Sequence, residues 1–159
     1  MEFYYPNLQN DMWRIFGYLF FGDRTHFLAA NGKAFDRERI VEFLTGKGIA
    51  LYDTATAVNR LRDNASDQFL EIVEPTDQGA LLRRLPACRA VAATGGKAAE
   101  TAARGLCCDV PAVGGFVPFT FEGRDLRLWR MPSSSRAYPM ALERKAEAYA
   151  AMFASLGLM

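Results

Sequence analysis

The stretch CRAVAATGGKAAETAARGLC, residues 88–107, limits the possible folds more than any other. Its first seven residues are a short apolar run with the look of a buried strand. Two glycines then turn the chain directly into an alanine-rich helix. The same order recurs elsewhere: GIALYDT (48–54) reads as a buried strand ending in an acid, and LEIVE (70–74) as a weaker one before the helix of PTDQGALLRRL. Strands alternating with helices predict an α/β fold, a three-layer α/β/α sandwich around a mainly parallel sheet of about four strands. At 159 residues the chain suits one domain spanning 1–159.

Helices and turns complete the outline. NDMWRIFGYLFF (10–21) predicts a short helix with Asn10 or Asp11 at its N-cap and Trp13, Phe16 and Phe20 on one face. Asp36 caps a second helix that Gly46 and Gly48 stop, and Thr76 or Asp77 caps a third. FVPFTF and RDLRLWRM flank EGRD as a hairpin or as two neighbouring strands. In the last helix Leu142, Ala146, Tyr149, Phe153 and Leu156 make one apolar stripe.

Composition removes several function classes. With 19 basic against 18 acidic residues, no global field advertises nucleic acid, although a local patch remains open. Arginine carries most of the positive charge, since lysine occurs only at 33, 47, 97 and 145; its fork suits bidentate phosphate contacts but is equally common on surfaces. Three cysteines (Cys88, Cys107 and Cys108) form no CxxC pair, and the single histidine, His26, excludes a histidine-rich metal site. Free thiols and the lack of a signal-peptide pattern predict a cytoplasmic location, and no apolar run is long enough for a membrane span.

In α/β sheets, sites gather beyond the carboxyl ends of strands. Three stretches fall there: Asp53–Thr54, Thr94–Gly95–Gly96 and MPSSSRAYP (131–139). TGGKAA could cradle a phosphate or a polar base edge at a helix start, or simply turn a strand into a helix; Walker and GxGxxG spacings are absent. MPSSSRAYP offers hydroxyls, backbone N–H groups and Arg136 on a proline-stiffened loop, which suits a phosphodiester or merely connects to the last helix. Its serines lack a nearby base and a GxSxG context, which argues against a serine hydrolase. Asp53 reads as a catalytic acid or as the cap of TATAVNRL, with the cap favoured. Asp63 and Asp67 read as turn formers. YYPNLQNDMW combines tyrosines with asparagines, as a planar hydrogen-bonding ligand requires, yet core aromatics with a helix cap would look the same.

Taken together and in chain order, these stretches resemble the uracil-DNA glycosylase superfamily, and within it the hypoxanthine/uracil branch. There a tyrosine pair leads through a His-Pro turn to an asparagine and a tryptophan; here the frame reads Tyr4-Tyr5-Pro6-Asn7-Leu8-Gln9-Asn10-Asp11-Met12-Trp13. GIALYD resembles a strand ending Leu-aromatic-Asp, Arg62 to Asp67 an Arg–Asp turn segment, and MPSSSRA the proline-serine loop that presses into the minor groove. ATGGKAA falls where a base-reading Asn-Gly turn occurs. Asn7 stands at the histidine position, Thr94 at the base-reading asparagine, Ser135 near a bulky wedge residue and Met131 where some branches carry His or Asn. Thr94 offers one hydroxyl in place of an amide's paired donor and acceptor, so looser or different base discrimination follows. The family's first strand and Gly-x-x-Pro loop would precede Glu2, so the expectation is an N-terminally truncated chain. Strands 48–54 and 88–94 would then close together, or a partner chain would fill the gap.

The resemblance implies a monofunctional glycosylase that hydrolyses the N-glycosidic bond of a deaminated base, uracil or hypoxanthine, in DNA. Asn10 would be catalytic. Tyr4, Tyr5, Asn7, Asp53, Thr94 and Gly95 would bind the base, and Pro132, Ser133, Ser134, Ser135 and Arg136 the DNA. It implies no cofactor and no metal, a DNA partner carrying a deaminated base, no membrane, and leaves a homo-oligomer open. Two rivals stand beside it: a catalytically inactive DNA-binding relative, and an unrelated α/β enzyme that binds a nucleotide through TGGKAA.

Overall fold

The computed structural model describes residues 4–52, 55–60, 70–75 and 77–159. The order of elements is α1 (Met12–Phe21), α2 (Arg37–Lys47), β1 (Ala55–Arg60), β2 (Leu70–Pro75), α3 (Gln78–Arg84), β3 (Ala90–Thr94), α4 (Gly96–Leu106), β4 (Phe116–Phe121), β5 (Arg124–Met131) and α5 (Leu142–Ser155). The protein is α/β, and the chain forms two compact units. Met1–Tyr52 joins Ser133–Met159 in the first, and Asp53–Pro132 makes the second.

The first unit is helical and held by aromatic packing. Trp13, Phe16 and Phe20 share one face of α1, as their spacing predicts. Phe16 meets Trp13 and Phe153 edge-on at 5.5 Å each, and Phe20 meets Phe43 at 4.9 Å. Trp13 is fully buried, so this aromatic is core. Its indole N–H donates to the carbonyls of Tyr4 and Tyr5 at 3.1 and 3.2 Å, which satisfies a polar atom that burial would otherwise penalise. Asp36 caps α2 by accepting the Arg39 N–H, and Gly48 ends it in the left-handed conformation.

In the second unit β5 is the centre of a three-stranded sheet ordered β3-β5-β4. β3 runs parallel to β5 and β4 antiparallel to it. Glu122 and Gly123, with φ of 48° and 81°, make the tight turn between β4 and β5, so EGRD is a hairpin. One face of the sheet, with Ala93, Phe119, Leu126 and Leu128, packs with Leu82 of α3 and Ala99, Ala102, Ala103 and Leu106 of α4. Alanine on α4 lets the helix lie close to the strands. Arg124 ties the hairpin to the end of α3 by donating to the carbonyls of Leu82, Leu85 and Cys88.

Two local expectations are corrected. GIALYDT is not a strand from its start: Gly48 is the C-cap of α2, and Ile49–Tyr52 has no regular structure. The strand begins at Ala55, inside the stretch read as a helix after Asp53, where Thr56 and Val58 favour extended backbone. Its partner is β2, antiparallel, in a separate two-stranded sheet, whereas 88–94 finds its neighbour in β5. Asp53, Asp63, Asp67 and the Arg62 to Asp67 segment lie outside the described residues.

Candidate functional site

The best-built polar cluster lies where the opening segment meets the serine loop. Asn10 and Ser135 form an antiparallel bridge. On either side of it the Asp11 N–H donates to the Ser134 carbonyl at 2.7 Å and the Arg136 N–H to the Gln9 carbonyl at 2.9 Å. Asn10 Oδ1 accepts the Met12 N–H at 2.9 Å and so starts α1, the task the sequence assigns to Asn10 or Asp11. Among the described residues, that bond leaves the two amide N–H groups of Asn10 without a partner on a half-buried side chain.

Asp11, freed from capping, has another task. It is 7% exposed and accepts from Arg136 Nε at 3.1 Å and Arg14 Nη1 at 3.3 Å, with Lys145 Nζ at 3.7 Å. Lys145 is 1% exposed and donates to the Ser135 carbonyl at 2.8 Å. Arg14 also donates to the Leu8 carbonyl at 2.7 Å and to that of Asn10. Burial holds both Arg14 and Lys145 below their ordinary values; Arg136 pushes the same way, and Asp11 opposes it. Three cations around one buried carboxylate leave the cluster positive. That surplus reaches solvent through the exposed Arg136.

The loop spends many of its own donors. Ser135 N–H binds Ser133 Oγ and Ala137 N–H binds Ser135 Oγ, both at 3.2 Å. Both hydroxyls accept from backbone and keep their O–H protons to give. Ser134 and Pro132 are buried, so they shape the loop, while Ser133, Ser135 and Arg136 have surface to offer.

Other predicted residues are placed less openly. Asn7 is exposed and its Oδ1 accepts the Gln9 N–H in a local turn. Tyr4 and Tyr5 are half-buried; Tyr5 has φ of 54° and meets Trp13 edge-on at 6.1 Å. Thr94 and Gly95 end β3 in the second unit, where Gly95 N–H donates to the Met131 carbonyl at 2.9 Å. Gly95 has φ of 95°, a conformation that favours glycine, and α4 starts there without a side-chain cap. The structure brings Asn10 together with the serine loop, and Gly95 with Met131. Asp53 lies outside the described residues.

Sequence reasoning missed Asp11, Arg14 and Lys145. One signal was available: Lys145 falls on the apolar stripe of α5, three residues after Leu142 and four before Tyr149. A lysine there must find a buried partner. Among the described residues no three of His, Cys, Asp and Glu gather as a metal site would require, and no helix is long and apolar enough to cross a membrane.

The fold is α/β, with a small mixed sheet whose one face packs against α3 and α4. A solved structure shares it: the solution NMR structure of a "putative Uracil DNA glycosylase" from Methanosarcina acetivorans, with a TM-score of 0.62, 23% identity, and coverage of 95% of this chain and 78% of that chain. At this identity the likeness is one of fold. No protein-family model matches the sequence, and no curated protein matches it.

Proposed function

We propose that this chain is a monofunctional DNA glycosylase that hydrolyses the N-glycosidic bond of a deaminated base, uracil or hypoxanthine. The observation that carries the reading is the Asn10–Ser135 bridge, which joins an asparagine with free amide donors to a hydroxyl- and arginine-bearing loop. The fold shared with the archaeal protein supports it.

In this reading the target nucleotide leaves the stack, at a cost of a few kcal/mol. Ser133, Ser135 and Arg136 grip phosphates beside it, while Pro132 and Ser134 hold the loop's shape. Tyr4 or Tyr5 packs on the flipped base, with Asn7 beside them in the same unit; Asp53, Thr94 and Gly95 keep the base-binding role that the resemblance implies. As the C1′–N bond breaks, the base gains negative charge and the sugar becomes cation-like. Fixed neutral donors suit that distribution, and the Asn10 amide supplies them to the base or to the attacking water. Thr94 reads the base edge with one hydroxyl, which makes discrimination looser or different.

Single-turnover cleavage of labelled duplexes carrying uracil, hypoxanthine or a G·T mismatch, with alkali to reveal abasic sites, tests this. Asn10→Asp keeps the oxygen that starts α1 and removes the N–H donors, and its rate should fall by about 10²–10³. Binding of lesion-containing DNA without cleavage would instead establish the inactive relative. Stabilisation by free nucleotides and none by DNA would favour the nucleotide-binding enzyme.

A further inference from the structure

We propose that Lys145 is the positioning residue of the serine loop: its buried ammonium clamps the Ser135 carbonyl beside Asp11 and so presents Arg136 and the loop hydroxyls to phosphate. The inference rests on the DNA-binding reading above and adds to it a residue that touches no substrate.

The geometry makes Lys145 a clamp rather than a contact. The side chain is 1% exposed, so its charge cannot meet a phosphate directly. Its ammonium has the Ser135 carbonyl at 2.8 Å and Asp11 Oδ2 at 3.7 Å. The other carboxylate oxygen of Asp11 receives Arg136 Nε at 3.1 Å. Lys145 therefore fixes the loop through the Ser135 backbone and, through Asp11, orients the Arg136 guanidinium. An ammonium suits the place because it can satisfy a carbonyl and a carboxylate at once, and α5 is a rigid base for it. Burying a lysine is costly, and a hydrophobic residue of its size would fill the same space in α5. The loop is the feature that would then lose its hold.

Lys145→Met removes the charge and keeps the volume; Lys145→Gln, which retains a donor, replaces it if the methionine variant does not fold. The first readout is hydrogen exchange at the Ser135, Arg136 and Ala137 amides, which needs no DNA. Faster exchange there, with α1 and α5 unchanged, supports the clamp; unchanged exchange overturns it. The second readout is the affinity for a uracil-containing duplex across salt concentrations. The clamp predicts about tenfold weaker binding and a salt slope lower by about one, with little further loss when Arg136→Ala is added. Losses that add independently would overturn it, as would a variant that binds like wild type. If wild-type protein binds no DNA, the glycosylase reading and the loop's phosphate role fail, and exchange still decides whether Lys145 orders the loop. A kcat loss with unchanged affinity would also count against a positioning role.

Discussion

Tyr149 shows how one buried hydroxyl weighs on the alkaline stability of the first unit. Its phenol is buried among Phe16 and Phe153, and its oxygen has no hydrogen-bond partner among the described residues. Burial, with Tyr5 nearby, holds it well above 10.0, so the folded protein grips this proton more tightly than the unfolded chain does. The resulting stability is fully present below pH 10.0 and is lost as pH climbs from there toward the folded value. Lys145 works in the opposite sense, because burial lowers it from 10.5. Tyr149→Phe removes the unpartnered oxygen. It should leave stability unchanged or raise it by about 1 kcal/mol, and should move the alkaline unfolding limb to higher pH. Denaturant titrations from pH 7 to 11 would check both. Asp11→Ala has the contrary effect: it strands the Lys145 ammonium, and unfolding free energy should fall by about 3 kcal/mol in the same assay.

At the scale of elements, the turn from β3 to α4 separates two adjacent glycines by their physics. Gly95 has φ of 95° and ψ of 165°, a region closed to side chains, so Gly95→Ala should cost about 1–3 kcal/mol in thermal unfolding. At Gly96 a new methyl would sit 3.1 Å from Arg130 Nη2, the end of a side chain that can swing away, and Gly96→Ala should be near neutral. This turn was legible in the sequence because an apolar run, two glycines and an alanine-rich helix each report a local preference. Asp36, Asp77 and the Glu122–Gly123 hairpin were legible for the same reason. The start of β1 was not. The apolar residues Ile49, Ala50 and Leu51 look like a strand, but strand pairing is settled by a partner, and β2 pairs with Ala55–Arg60. Asn10 and the serine loop could be named as candidates. Their meeting, and the cluster beneath them, depends on residues more than a hundred positions apart, which no local pattern records.

For the whole molecule, the near-balance of charge matters to association. A net charge of +1 provides no long-range pull on a polyanion, so under the proposed function encounter with DNA would depend on the local surplus around Arg136. The association rate for a short duplex should therefore lie near the unsteered range of about 10⁵–10⁷ M⁻¹s⁻¹. Stopped-flow mixing at two salt concentrations would show the salt effect mainly in dissociation.

The bridge between Asn10 and Ser135 also sets a timetable. The second unit is one continuous stretch, whereas the first draws on both sides of it. A ribosome delivers Asn10 more than a hundred residues before Ser135, so the polar cluster cannot close until Lys145 has been synthesised. Until then the part of the α1 aromatic face that Tyr149 and Phe153 cover stays open, a hazard for a nascent chain. The cluster thus forms in one step once α5 has been made, and a chain interrupted before α5 lacks it.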